Sequence, residues 1–218
     1  TYEVFVHSTA PMGAISFDKI KTSDYLPAMR EAIADHKKEI DAIANNPEKP
    51  TFENTIVAFE KSGFALSRIQ YVFYNLLSAE SNDELNAIAE EIAPEESEHS
   101  NNIFLNEKLF NRIKIVFEQK ETLNLDVEDA KLLEDTYLSF VRRGANLTDE
   151  KKEIYRRISK ELSLLDLQFA QNVLKSTNAF ELLLTEKEEL AGLPDDIILA
   201  DKEKAENNAQ LRQTLYPS

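Results

Sequence analysis

Glycine is scarce in this sequence, and that scarcity limits the available folds more than any other feature. Only 4 of the 218 residues are Gly, roughly a quarter of ordinary usage. Sandwiches and barrels need many turns with positive φ, which Gly supplies most easily. Neither GxGxxG nor GxxxxGK[ST] occurs, so a Gly-rich phosphate loop is absent. The sequence therefore predicts an all-α protein, a multi-helix array of long packed helices joined by few turns.

The charge balance and the lack of cysteine exclude several classes of partner and chemistry. Lys and Arg number 25 and Asp and Glu number 40, so the formal net charge is −15. Nucleic-acid binding needs a clustered basic face, and anionic membranes repel an acidic chain, so neither partner is expected. Cys is absent, which excludes disulfides, Cys-ligated zinc and thiol catalysis. No apolar run approaches the length of about 18 residues that spans a bilayer.

Helical periodicity divides the sequence into three predicted parts. Residues 1–21 contain little helical period, which favours an extended N-terminal arm laid on the core. Residues 22–208 are predicted to form one helical domain, and residues 209–218 a truncated end. The first residue is Thr, so we expect the natural start to lie upstream or to have been removed, with a cleaved signal peptide as an open alternative.

Capping residues and apolar spacing place the helices within the predicted domain. A short apolar run is the best strand candidate, at residues 180–184, and at most one further short strand is expected near the C-terminus. A short helix followed by a stop is predicted at residues 185–194. The predicted longer helices cover residues 24–45, 52–78, 82 onward, 107–120, 126–144, 149–176 and 195–207.

Three local features carry more detailed expectations. Gly63 lies in the middle of an apolar stripe, which indicates close approach by a partner helix. Ser81 and Glu84 have the spacing of a capping box, with Ser81 as the N-cap. Pro94 falls inside a helical pattern, so that helix is predicted to kink or break there.

The longest predicted helix has a regular apolar face. At 1.5 Å per residue it is roughly 40 Å long, so one helix is expected to span the domain. The residues of this face recur at intervals of three and four; they are Ile154, Ile158, Leu162, Leu165, Phe169 and Val173.

No catalytic constellation is visible in the residues. The H-E-x-x-H motif of helical zinc hydrolases is absent. Glu91, Glu95 and His99 have helical spacing that a metal could use, but a solvated Glu-rich face is the favoured interpretation. His36 lies on an apolar face, which favours a core or boundary histidine. We therefore expect no catalytic, cofactor-binding or metal-binding residue in this chain.

Clusters of like charge have simpler explanations than a site. Adjacent acidic pairs could do acid–base work, but neighbours in a helix diverge and 40 acids produce such pairs by chance. One basic concentration could bind a carboxylate, although it is expected to balance helix C-termini and nearby acids. Its members are Arg142, Arg143, Lys151, Lys152, Arg156 and Arg157.

Several stretches, taken in order, resemble a known family. The match runs over about residues 11–200 and is poorer from about residue 205. Together the stretches resemble the N-terminal region of thimet-oligopeptidase-type zinc metallopeptidases, with the bacterial peptidyl-dipeptidase (Dcp) and oligopeptidase A branches most similar. They are residues 17–28, 46–56, 59–63, 75–82, 105–113, 140–147, 169–174 and 190–194.

The resemblance implies a zinc peptidase with a deep channel between two mainly helical halves. It implies unstructured oligopeptides as substrates, and Dcp-like members release C-terminal dipeptides. The family's zinc motif lies in a C-terminal catalytic portion that this sequence lacks, so no catalytic or zinc residue is carried onto any position here. The chain alone is therefore expected to be inactive and to need that missing portion as its partner.

Two functions follow as hypotheses. In the first, the chain is the N-terminal domain of a Dcp-like peptidase, where packed helices form a channel wall that admits only thin, extended peptides. In the second, it is a stand-alone helical scaffold that binds a protein or peptide without enzymatic activity. The family resemblance implies the cytoplasm, with the periplasm as the alternative.

Overall fold

The all-α prediction is confirmed. The computed structural model describes residues 2–6, 13–182, 184 and 186–207. These residues form α-helices, short 3-10 segments and one π-helical segment, and none of them lies in a strand. The chain packs as two units, residues 1–171 and residues 172–218.

The first unit contains most of the helices. Short 3-10 turns at Phe17–Lys19, Thr22–Asp24 and Lys120–Thr122 connect them, and a π-helical segment covers Phe52–Val57. The helices are α1 Tyr2–Val6, α2 Tyr25–Ala44, α3 Ala58–Glu60, α4 Phe64–Ala79, α5 Asp83–Phe104, α6 Glu107–Glu118, α7 Val127–Arg142 and α8 Asp149–Ala179, which continues into the second unit.

One half of the core lies between α1, α2, α4 and α5. Met29, Ile69, Phe73 and Ala89 are each 0% exposed in this cluster. The extended arm is a wrong prediction at Tyr2–Val6, because these residues form α1 and bury Phe5 completely. A full aromatic side chain removed from water outweighs the weak helical signal of such a short segment.

The other half of the core lies between the π-helical segment, α6 and α7. Ile56, Leu109, Ile113 and Phe140 are each 0% exposed. The ring of Phe140 lies 4.8 Å from that of Phe104 at the end of α5. Residues of α5 belong to both clusters, Ile88 and Ala89 to the first and Ile103 to the second.

The predicted continuous helix over residues 52–78 is wrong. It is interrupted after α3, and Gly63 adopts φ +70° before α4 begins. A Cβ at Gly63 would lie 2.5 Å from Cε1 of His36, so the expected close approach is made by a side chain of α2. Left-handed backbone and contact with an imidazole both require Gly at this turn.

Two details at α5 differ from prediction. The N-cap is Asn82, whose side chain accepts a hydrogen bond from the Leu85 backbone N–H at 2.9 Å. Ser81 is therefore not the cap. Pro94 does not break α5, which runs through it from Asp83 to Phe104, and buried Ile92 and His99 on either side tie the helix to the core.

Other boundaries coincide with capping residues in the sequence. Asn106 and Asp126 cap α6 and α7 by accepting hydrogen bonds from the N–H groups of Leu109 and Asp129. Gly144 follows α7 with φ +92°, as a C-terminal glycine should.

The second unit contains the end of α8, a 3-10 turn at Lys187–Leu190 and α9 at Asp195–Asn207. The prediction for α9 is confirmed. The strand candidate is not: the described residues of 180–184 carry no strand, and residue 183 lies outside the described residues. The predicted end at 209–218 also lies outside them.

Candidate functional site

The acidic face considered for a metal is occupied by an arginine. Glu91 and Glu95 of α5 each accept a 2.6 Å hydrogen bond from the guanidinium of Arg30 on α2. These bonds raise the pKa of Arg30 above its ordinary value. No group of three or more His, Asp or Glu residues among the described residues is arranged to hold a metal. The zinc implied by the family therefore has no matching donor set in this part of the chain.

His99 pairs with another histidine rather than with the acids of its own helix. Its Nε2 lies 3.0 Å from Nδ1 of His36, and the two rings meet edge to face. The Nε2 of His36 lies 3.2 Å from Oγ of Ser62. Glu39 accepts a hydrogen bond from the Gly63 backbone N–H at 2.7 Å. This cluster joins α2, α5 and the turn before α4, and it confirms His36 as a boundary histidine.

Burial controls the charge of this histidine pair. His99 is 8% exposed, and its pKa falls to about 4 because burial disfavours the imidazolium and because His36 and Lys37 repel it. Burial also lowers the pKa of His36, against the opposing attraction of Glu39. Both rings are therefore neutral near pH 7, and one N–H donates between them.

A second polar contact joins α4 to α5. Tyr74 donates a 2.5 Å hydrogen bond to Glu96, and Gln70 donates another at 2.9 Å. Burial raises the pKa of Glu96 in spite of these bonds, and it raises the pKa of Tyr74 as well. The group holds α4 and α5 together through hydrogen bonds to a largely buried carboxyl group.

Three members of the basic concentration bind separate local partners. Arg143 covers the ring of Phe104 at 4.1 Å. Lys152 is buried and pairs with Glu107 at 2.8 Å. Arg156 donates to Asn102 at 2.6 Å. A charged cavity of about 220 Å³ lies beside the last two, lined by Leu105, Glu107, Asp149, Lys152, Glu153 and Arg156.

Sequence reasoning missed Arg112. This residue lies on the buried face of α6 and is 7% exposed. Its guanidinium donates to the backbone oxygens of Asn46 and Glu48 and to the side chains of Asn54 and Thr55. The cation thus binds the carbonyl groups of the connector after α2, at the negative end of that helix. The sequence signal that could have identified this residue is an Arg on the helix face that is otherwise formed by apolar residues.

The longest helix contacts the rest of the first unit mainly through polar side chains. Lys152 and Arg156 make the contacts described above, and Gln171 donates to Glu90 at 3.2 Å. Leu167 also packs on the α2–α4–α5 cluster. The predicted apolar residues of α8 do share one face, and that face is exposed. It is the one extended apolar surface on α8 within the described residues.

The comparisons with known proteins identify the relatives. The chain is 36% identical over 212 residues to the dipeptidyl carboxypeptidase of Escherichia coli strain K12, a match that covers 97% of this chain and 31% of that protein. The resemblance to thimet-oligopeptidase-type peptidases is confirmed. Oligopeptidase A of Salmonella typhimurium is 28% identical over 194 residues, covering 89% of this chain and 28% of the relative. A thimet-like oligopeptidase of Dictyostelium discoideum is 23% identical over 188 residues, with 84% and 27% covered.

The chain spans about a third of the length of the curated relatives it matches. No family model matches it. Among the described helices, none combines the length and the apolar composition needed to cross a membrane.

Proposed function

We propose that this chain is the N-terminal helical domain of a Dcp-like zinc metallopeptidase that hydrolyses short unstructured peptides and releases C-terminal dipeptides. The observation that carries the proposal is the match over 97% of this chain and only 31% of a dipeptidyl carboxypeptidase. Similarity along almost the whole chain supports a shared fold. Coverage of a third of the relative supports a role as one part of a longer enzyme.

Within such an enzyme the helical domain, proposed at residues 22–208, would form a wall beside the substrate channel. Its α5 contains 22 residues and its α8 contains 31, so they are about 33 Å and 46 Å long. Residues near both ends of α5 are buried in the two core clusters. A stiff wall of this kind excludes folded proteins and admits thin, extended chains, which is selection by access rather than by chemistry.

The chemistry in this proposal belongs to the rest of the enzyme. The chain's histidines that are described, His36 and His99, bond to each other, and two acids of α5 bond to Arg30. We propose that this chain supplies no catalytic group and no zinc ligand, that it is inactive alone, and that the enzyme works in the cytoplasm. A C-terminal catalytic portion is its required partner.

The proposal is tested by a chimera in which this chain replaces the matching region of the E. coli dipeptidyl carboxypeptidase. We expect the chimera to release C-terminal dipeptides from an unstructured peptide, and a chelator to stop the release. A disordered protein substrate should be cleaved and a folded protein of the same size should not. The 218-residue chain should show no hydrolysis with or without zinc. A folded, soluble chimera without activity would contradict the proposal.

The exposed apolar face of α8 also favours a second candidate, a stand-alone scaffold that binds a protein or peptide. The two candidates differ in what the chimera does. Full activity requires that this chain fits the rest of the enzyme, whereas a scaffold specialised for another partner would give an inactive chimera.

A further inference from the structure

The helix α8 presents its faces in the reverse of the usual order. A surface helix normally turns its apolar stripe to the core and its polar face to water. Here Lys152, 6% exposed, Arg156 and Gln171 make hydrogen bonds to α5 and α6. The polar side of the helix is therefore the side that faces the fold.

The opposite side carries what we name the α8 stripe, the five apolar residues of the first unit that line one face. Because successive helical residues turn by about 100°, these five fall within an arc of about 80°. No charged side chain of residues 154–169 lies within that arc. The stripe and its exposed fractions are Ile154 45%, Ile158 54%, Leu162 51%, Leu165 51% and Phe169 70%.

The stripe has the size and pattern of an interaction surface. Half-exposed aliphatic side chains and a largely exposed Phe amount to several hundred Å² of apolar surface, the size at which exposed patches mark binding sites. Their spacing of four, four, three and four residues is the spacing at which helices present neighbours to a facing helix. A scattered set of exposed Leu and Ile residues would need no such explanation.

We propose that the α8 stripe is the docking surface for an apolar helical face of the C-terminal portion of the peptidase polypeptide. The inference rests on the proposed function. This chain covers 31% and 28% of the two relatives' lengths, and the polypeptide that makes up the remaining two thirds or so needs a surface to pack on. A second copy of this chain is a poorer occupant, because each copy carries a formal charge of −15 and the copies repel each other.

Cysteine labelling tests the docking directly, since the chain has no Cys of its own. The variants I158C and L165C place a thiol on the stripe, and K160C places one on the other side of the same helix, where Lys160 is also exposed. Each variant is made in the 218-residue chain and in the chimera described above. The labelled peptide is followed by mass spectrometry during reaction with a bulky maleimide.

We expect all three thiols to react at similar rates in the 218-residue chain. In the chimera, I158C and L165C should react at least about tenfold more slowly, since labelling then requires local opening of a packed interface. The K160C thiol should keep its rate. Equal rates for the stripe thiols in both proteins would overturn the inference, as would equal protection of K160C, which would show that the whole helix is enclosed.

The activity of the chimera separates this inference from the proposed function. An active chimera with unprotected stripe thiols refutes the docking surface and leaves the proposed function standing. A folded, soluble chimera without activity refutes the proposed function. Protection in the 218-residue chain that increases with its concentration would assign the stripe to a second copy and would also refute the docking inference.

Discussion

The buried histidine pair should make the stability of this chain depend on pH in a defined direction. In the unfolded chain an imidazole has a pKa near 6.5, whereas the pKa of His99 in the fold is about 4. Between these values the unfolded state binds a proton that the folded state does not. The free energy of unfolding must therefore fall as the pH falls from about 6.5 towards about 4, and it must stay level above 6.5.

The size of the effect follows from the same two values. If the pKa of His99 is 6.5 in the unfolded chain and about 4 in the fold, lowering the pH from 7.5 to 5.3 lowers the free energy of unfolding by about 1.6 kcal/mol. The partner ring, His36, is only half-buried, and water reaching it lowers the penalty, so we expect a loss of about 1 kcal/mol. The lower pH of the comparison stays above the pI of about 4.7, at which the solubility of the protein is poorest.

Urea denaturation of the chain and of H99Q at both pH values isolates this contribution. Other groups also titrate, and Glu96, whose pKa is raised by burial, acts in the opposite direction. The measured quantity is therefore the difference between the two proteins. We expect the native chain to lose about 1 kcal/mol more than H99Q, with unchanged m-values. If both lose the same amount, His99 is not held neutral by its surroundings and the reasoning is wrong.

Three further substitutions should lower the free energy of unfolding measured by urea denaturation at pH 7.5. Gly63→Ala should cost about 2 kcal/mol, because φ +70° is unfavourable for Ala and its Cβ would displace the His36 ring; a loss under about 0.5 kcal/mol would contradict this. Arg112→Ala should cost about 2–4 kcal/mol, because the backbone oxygens of Asn46 and Glu48 lose their hydrogen-bond donor. An unchanged urea midpoint would refute that role. Asn82→Ala should cost about 1 kcal/mol and Ser81→Ala less, since Asn82 is the cap; the reverse order would restore Ser81 as the cap.

Helix ends were predictable from the sequence wherever a short-range side chain decides them. Asn106 and Asp126 each bond to a backbone N–H three residues ahead, so the donor and the acceptor lie in the same short stretch of sequence. The same is true of Gly144, whose positive φ ends α7. Local chemistry of this kind is visible without any tertiary structure.

The interruption at Gly63 could not be predicted in this way. The stripe over residues 52–78 has helical period on both sides of the break, and period alone predicts one helix. The turn is held from outside, by the ring of His36 where a Cβ would be and by the carboxylate of Glu39 on the Gly63 N–H. Both groups lie on α2, some 24 residues or more earlier in the chain.

The polar clusters were invisible for a related reason. His36 and His99 are 63 positions apart, and Arg30 is 65 positions from Glu95. Helical spacing groups Glu91, Glu95 and His99 on one face, because it compares residues on one helix only. In the structure the two acids bond to Arg30, and His99 bonds to His36 of α2. Each side chain bonds to the group that faces it across the helix interface.

The α8 stripe shows what helical periodicity in a sequence can predict and what it cannot. Spacing identifies which residues of a helix share an apolar face, and for α8 it did so correctly. It contains no information on what covers that face. In α2 the apolar residues Met29 and Ala32 are buried by α4 and α5. In α8 the polar side of the helix contacts the other helices, and the apolar stripe is exposed. Because exposed apolar surface of this extent raises the free energy of the isolated chain in water, a partner polypeptide that covers it should stabilise the chain.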